Sequence, residues 1–201
     1  MTNIAHPKAV EEWSTKEGTD NLIRLWDTMP TKPDTEKLIA DMVERCPEHS
    51  FIVDLGCGPG RKLAVLPEHR TYRGYDVSEL FIKAAIERYG NDSQHSFQVR
   101  NLFDGAPNRR PSDVLLCIDV AQHYPDPLDL LRFVSVRWPA HHYIFTILHG
   151  PERVELLNGY VVATTDLDSY LAEFGSVSES HDAPLKGFEP LIMRYVRIDK
   201  S

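Results

Sequence analysis

Cysteine, long apolar runs and positive charge are all scarce in this 201-residue chain. Its three cysteines, Cys46, Cys57 and Cys117, are odd in number and form no C-x-x-C pair, so neither a disulfide framework nor a zinc knuckle organises the fold. Free thiols fit a reducing compartment, and a cytoplasmic protein is expected. No run approaches the roughly 20 apolar residues of a membrane helix, and the opening MTNIAHPKAVEE lacks the basic start and apolar core of a signal peptide. No membrane partner is expected. Acidic residues number 30 against 22 basic, a formal charge of −8, which opposes a polyanionic partner. The densest arginines, in RNLFDGAPNRR, read as a solvated loop. Nucleic acid is therefore disfavoured.

Hydrophobic residues make up 42% of the chain, enough for one well-buried domain. Along it, PDTEKLIADMVERC sets Leu38, Ile39, Met42 and Val43 on one helical face after a capping Asp34. FIVDL, TYRGYD and HSFQV read as strands, with a helix between the last two that is capped by Ser78 and closed by Gly90. DVLLCIDV is apolar on both faces, as a central parallel strand should be, and Asp126-Pro127 opens a helix with Leu128, Leu131 and Val134 inward. HHYIFTIL is the next buried strand. Thr165 and Asp168 form a capping box for a helix carrying Leu167, Tyr170, Leu171 and Phe174. SVSES and LIMRYVRI close the chain as strands near enough to pair antiparallel. Strands alternating with helices predict an α/β, doubly wound, mostly parallel sheet.

Such sheets bind ligands beyond the carboxyl ends of their strands. There the sequence places GCGPG, with Gly56, Gly58 and Gly60 within five residues. Glycines let the chain turn sharply and present amides to a nucleoside. A dinucleotide site would want a glycine or alanine three residues after Gly58; that residue is Arg61. Asp76, twenty residues after Gly56, closes the second strand, where a carboxylate can accept both ribose hydroxyls.

The succession VDLGCGPG, GYDVS, VRNLFDG and DVLLCIDVAQHY resembles the motifs of the class I S-adenosylmethionine-dependent methyltransferases, over roughly residues 34 to 198. The resemblance implies a seven-stranded sheet with a final antiparallel strand, a cofactor-binding domain at 31–201, and a segment 1–30 acting as a helical lid. It implies S-adenosylmethionine as cofactor, with Asp54 and the backbone of Gly56 and Gly58 at its methionine end and Asp76 on its ribose. Asn101, where the family usually has aspartate, takes the adenine amino group. Leu102 supplies an amide and a flat apolar contact to the ring. Asp119, ending the fourth strand, lines the floor below the sulfonium, or else caps the next turn.

Methyl transfer from a sulfonium needs alignment above all, and a base only where the acceptor must lose a proton early. His123, a few residues past the fourth strand, is the candidate catalytic base; the alternative is a loop histidine bonded to backbone. His141 and His142 read as surface or packing, and no metal is predicted. Trp13 and Trp26 either cover the sulfonium or pack an N-terminal helix. Acceptor identity is expected to lie in residues 1–30 and in HGPERVELLNGYVVATT. The stretch DVAQ stands where methylases of nucleobase amines show Asn-Pro-Pro-Tyr, which together with the acidity favours a small-molecule acceptor. Protein, nucleic acid and a non-catalytic binding role are the alternatives.

Overall fold

The computed structural model describes residues 13–28, 32–107, 110–151, 154–156, 161–163, 167, 171, 176–184 and 191–200. Helices α1 (Lys16–Thr28) and α2 (Lys32–Glu44) precede strand β1 (Phe51–Leu55). Then follow β2 (Thr71–Asp76), α3 (Glu79–Tyr89), β3 (His95–Val99), β4 (Ser112–Cys117), α4 (Pro127–Arg137) and β5 (Ala140–His149). A small hairpin of β6 (Val154–Leu156) and β7 (Val161–Ala163) precedes β8 (Ser176–Pro184) and β9 (Ile192–Asp199). The main sheet has seven strands in the order β3-β2-β1-β4-β5-β9-β8. Strands β1 to β5 are parallel, while β9 runs antiparallel to both β5 and β8. The chain starts at β1 in the middle, builds outward to β3, and crosses back to β4, which opens a crevice beyond the carboxyl ends of β1 and β4.

Alternate residues of each strand serve opposite layers. Ile52 joins Ile39, Met42, Val43, Tyr72, Ile82, Ala85 and Phe97 beneath α2 and α3. Val53 and Leu55 join Tyr75, Leu115, Leu131, Val134, Trp138 and Phe145 beneath α4. Burial on both faces is why these strands are continuously apolar. The layers differ over β1 to β3: one lies beneath two helices, while on the other the described part of the connection 100–111 holds the 3₁₀ turn Leu102–Asp104.

Ser78 caps α3 by accepting the Phe81 amide, Gly90 ends it, and Asp126 caps α4 through the Asp129 amide. Three expectations shift. Asp34 is not the cap of α2 but lies in its first turn, because the helix already starts at Lys32; there a carboxylate still meets the positive helix end. The fourth strand stops at Cys117, so Asp119 lies two residues beyond it, with a left-handed φ of 59° that no strand can hold. The inward stripe of α4 is Pro127, Leu130, Leu131 and Val134, with Leu128 only half buried. The helix expected over 165–174 lies mostly outside the described residues; Leu167 and Leu171 are helical and buried. The hairpin β6–β7 was not foreseen, since each arm is three residues long and shows no readable alternation.

Candidate active site at the carboxyl edge of the sheet

Gly56 follows β1 with a φ of 69°. A Cβ there would stand 2.4 Å from Val120 Cγ2 on the turn after β4, so only glycine lets the two loops close on the crevice. The amides of Gly56 and Cys57 donate to the Tyr75 carbonyl at 2.8 and 3.1 Å, tying the loop to β2. Gly60 has a different task. Its missing Cβ would meet the Phe97 ring at 2.8 Å, so it faces the core under α3.

Asp76 ends β2 with its carboxylate clamped: Oδ2 accepts the Gly58 amide at 2.9 Å and Oδ1 the Ser78 amide at 2.8 Å. Burial raises its pKa, while those amide bonds pull it down. Asp54 lies deeper, 1% exposed, and accepts the Tyr72 hydroxyl at 2.6 Å. Burial pushes Asp54 up to about 6; Lys62 opposes the rise, and the charges of Asp76 and Asp119 add to it. Asp119 is exposed at the crevice, its amide donating to Thr146 Oγ1 at 2.6 Å. Three carboxylates thus share one end of the sheet.

The structure sets Asn101 and Leu102 beyond the end of β3. The Asn101 side chain accepts the Phe103 amide at 3.0 Å, capping the 3₁₀ turn, and remains exposed. Leu102 is buried, its carbonyl accepting Trp138 Nε1 at 2.7 Å. His123 is half buried at the end of the turn Ala121–His123, its amide donating to the Val120 carbonyl at 3.0 Å. Its ring meets Trp13 edge to face, with centroids 5.5 Å apart. The Trp13 carbonyl accepts the Ser78 hydroxyl at 2.7 Å. Trp13 therefore bridges the turn after β2 and the turn after β4, which carry Asp76 and His123. Trp26 belongs to α1, and its side chain lies outside the described residues.

Two residues escaped the sequence reading. Arg61, expected only to break a dinucleotide pattern, is 8% exposed and pairs with Glu36 at 3.0 Å and Asp27 at 3.8 Å. It clips α1 and α2 to the glycine loop, and its place directly after Gly60 was the available signal. Gln122, beside His123, is buried with Oε1 lacking a hydrogen-bond partner among the described residues; nothing in its sequence context marks it. His142 instead pairs with Asp199 at 2.7 Å near the amino end of β5, while His141 is exposed. Among the described residues, no group of three or more His, Cys, Asp or Glu is placed to hold a metal, and no helix is long and apolar enough to cross a membrane.

Residues 53–137 match the family profile of a methyltransferase domain. Among solved structures, the fold is similar to magnesium protoporphyrin IX methyltransferase from Synechocystis with bound SAH, at a TM-score of 0.72 and 16% identity, covering 98% of this chain and 100% of that one. It is also similar to the N-methyltransferase NodS from Bradyrhizobium japonicum in complex with S-adenosyl-L-homocysteine, at a TM-score of 0.73 and 14% identity over 95% of both chains. The [4+2]-cyclase SpnF shares the fold at a TM-score of 0.66 and 13% identity, covering 86% of this chain and 84% of that one. The chain thus has the fold of the class I S-adenosylmethionine-dependent methyltransferases it is similar to, and a methyltransferase-domain profile matches its central residues.

Proposed function

We propose that the chain is an S-adenosylmethionine-dependent methyltransferase that acts on an oxygen or nitrogen of a small-molecule acceptor, in the cytoplasm, with residues 1–30 as a lid over a cofactor-binding domain at 31–201. The residues at the crevice fit the cofactor. Gly56 leaves room where a Cβ would strike Val120, and Asp76 is already oriented by two amides. The observation that carries the reading is the convergence of Asp54, Asp76 and Asp119: burial holds Asp54 near 6, and repulsion from the other two carboxylates adds to the rise. A ligand with an ammonium and a sulfonium relieves that repulsion, whereas a pyrophosphate would worsen it.

When bound, S-adenosylmethionine supplies an activated methyl group on a positively charged sulfur. Asp76 accepts the ribose hydroxyls, Asp54 acts behind Gly56 and Gly58 on the amino group, and Asn101 and Leu102 meet the adenine. Asp119 lines the floor below the reacting centre. His123 takes a proton from the acceptor on its imidazole, and Trp13, lying against that ring, keeps water out. Strand β7 packs against the turn Ala121–His123, so the segment after β5 helps shape the acceptor side. Small-molecule chemistry is supported by the porphyrin named for one fold relative and by the net charge of −8, which opposes nucleic acid. The three free, buried cysteines accord with a reducing compartment.

Calorimetry tests the donor and labelled transfer tests the reaction. S-adenosylhomocysteine is expected to bind with a micromolar dissociation constant, worth roughly 8 kcal/mol, and NADH far more weakly; equal binding of the two overturns the donor assignment. A methyl-labelled donor incubated with fractionated extract should label the small-molecule fraction, and label confined to protein or RNA overturns the acceptor class. His123→Ala should lower turnover by about 10²-fold with donor affinity unchanged. The shared fold of a cyclase favours a second reading, in which the nucleoside binds without methyl transfer; binding with no labelled product in any fraction would select it.

A further inference from the structure

Tyr72, the second residue of β2, is 1% exposed in the layer beneath α2 and α3, its ring tilted against Phe97 with centroids 5.6 Å apart. Its cross-strand neighbour in β1 is Ile52, while Asp54 stands opposite Gly74. Residues 52 and 54 share a face of the sheet, so Asp54 enters the same layer one step nearer the glycine loop. A Cβ on Gly74 would stand 2.7 Å from Cys57 Sγ and 2.9 Å from the Phe97 ring, and that position stays bare. The phenol of Tyr72 spans the two-residue offset, roughly 7 Å along the strands, and its hydroxyl donates to Asp54 Oδ2 at 2.6 Å.

Among the described residues no other group donates to the Asp54 carboxylate, although Ile52, Ile82 and Phe97 make its layer apolar. Apolar side chains of similar size would pack there at lower cost than an acid and a phenol. Burial raises the Tyr72 pKa well above its ordinary value, and the Asp54 charge adds to the rise. The hydroxyl therefore keeps its proton and stays the donor wherever Asp54 titrates. Other groups reach Asp54 by charge alone: Lys62 favours its ionised form, while Asp76 and Asp119 oppose it. The nearby thiols of Cys57 and Cys117 are held protonated by burial, with surrounding carboxylates, Asp54 among them, adding to the effect.

We infer that Tyr72 is a positioning residue for the methyl donor: its hydroxyl fixes the orientation of the Asp54 carboxylate and favours its charged form, which faces the donor's ammonium group from behind the glycine loop. This rests on the assignment of S-adenosylmethionine as donor and adds the residue on which its methionine end depends at one remove. A hydrogen bond donated to a carboxylate favours the ionised state, and its loss leaves burial unopposed by that bond. Without the hydroxyl, Asp54 takes up its proton at higher pH, and affinity for an ammonium ligand falls with it.

The test is calorimetric titration of the full chain with S-adenosylhomocysteine between pH 5 and 8. Wild-type affinity is expected to fall below about pH 6, where Asp54 titrates. Tyr72→Phe keeps the ring and removes only the hydroxyl. It should bind within about threefold of wild type at pH 8 and about tenfold more weakly at pH 5, its midpoint displaced upward by about one pH unit. Asp54→Asn should flatten the profile, and adding Tyr72→Phe to it should change affinity by less than about twofold at any pH, because the hydroxyl then has no charge to hold. A 3-fluorotyrosine placed at position 72 donates more strongly from nearly the same shape and should move the midpoint down by a few tenths of a unit, which decides the matter should Tyr72→Phe not fold. A purely structural tyrosine has another signature, in which Tyr72→Phe weakens binding equally at pH 5 and pH 8 or lowers only the melting temperature. Either result overturns the inference, as does an inflection that persists in Asp54→Asn. Failure of the wild type to bind S-adenosylhomocysteine at any pH would instead overturn the donor assignment, and this inference with it.

Discussion

The two ends of β1 sit in opposite electrostatic surroundings. At its carboxyl end, burial raises the pKa of Asp54, and the charges of Asp76 and Asp119 add to the rise around a glycine loop. At its amino end, Arg73 and Arg110 line a cavity between aromatic walls. The acidic end is tightly built: amides clamp Asp76, a hydroxyl holds Asp54, and Val120 leaves Gly56 no room for a side chain. At the basic end, Arg73 stands over the Phe51 ring at 5.9 Å and donates to Ser96 Oγ at 2.7 Å. One parallel sheet thus offers two chemically opposite environments, and which end recognises which charge depends on its loops, not its strands.

Four perturbations test that contrast, in descending order of effect. Gly56→Ala should cost about 3–4 kcal/mol of stability, since it combines a left-handed φ with a clash against Val120; a urea midpoint within error of wild type would show that the loop is not fixed by that contact. Asp76→Ala should weaken S-adenosylhomocysteine by about 1.5–3 kcal/mol through loss of an ionised ribose acceptor, read by calorimetry.

The third perturbation is pH. Asp54 titrates at about 6 in the fold against an ordinary 3.8, so the folded state holds its proton more tightly than the unfolded chain. The benefit of that proton is fully present below about pH 4 and disappears as pH rises through 6, about 3 kcal/mol in all at 1.36 kcal/mol per pKa unit. Asp54→Asn should therefore raise stability by about 2 kcal/mol at pH 7.5 and change it little at pH 4, read from unfolding midpoints at both values. In the wild type, donor affinity should fall below pH 6 as the carboxylate loses its charge, by up to about tenfold per unit. The smallest effect is expected from Arg73→Gln, which should move stability by less than about 0.5 kcal/mol and leave donor affinity intact. A larger loss would mean that the basic end holds the fold together.

Much of the acidic end was legible because local chemistry governs it. Three glycines after an apolar run, an acid twenty residues on, and Ser78 before a periodic stretch each carry their structural reason within a few positions. The Arg61 clip and the Trp13 bridge were not legible, since their partners lie 25 to 110 residues away and no local pattern encodes such a pairing. Asp119 was misplaced for a related reason. Apolarity extends DVLLCIDV past the point where the backbone turns, and hydrophobic patterning does not report φ.

Trp13 also bears on timing. Its carbonyl is held by the Ser78 hydroxyl and its ring rests on His123, so a single residue latches both sides of the crevice. A nucleoside that enters or leaves between those sides must first unfasten the latch. Encounter with the donor then becomes a two-step process whose slower step belongs to the protein, and the observed association rate should level off as donor concentration rises instead of climbing in proportion. The departure of the spent nucleoside meets the same barrier, so the pace of the cycle can be set by residue 13, which forms no bond to the methyl group.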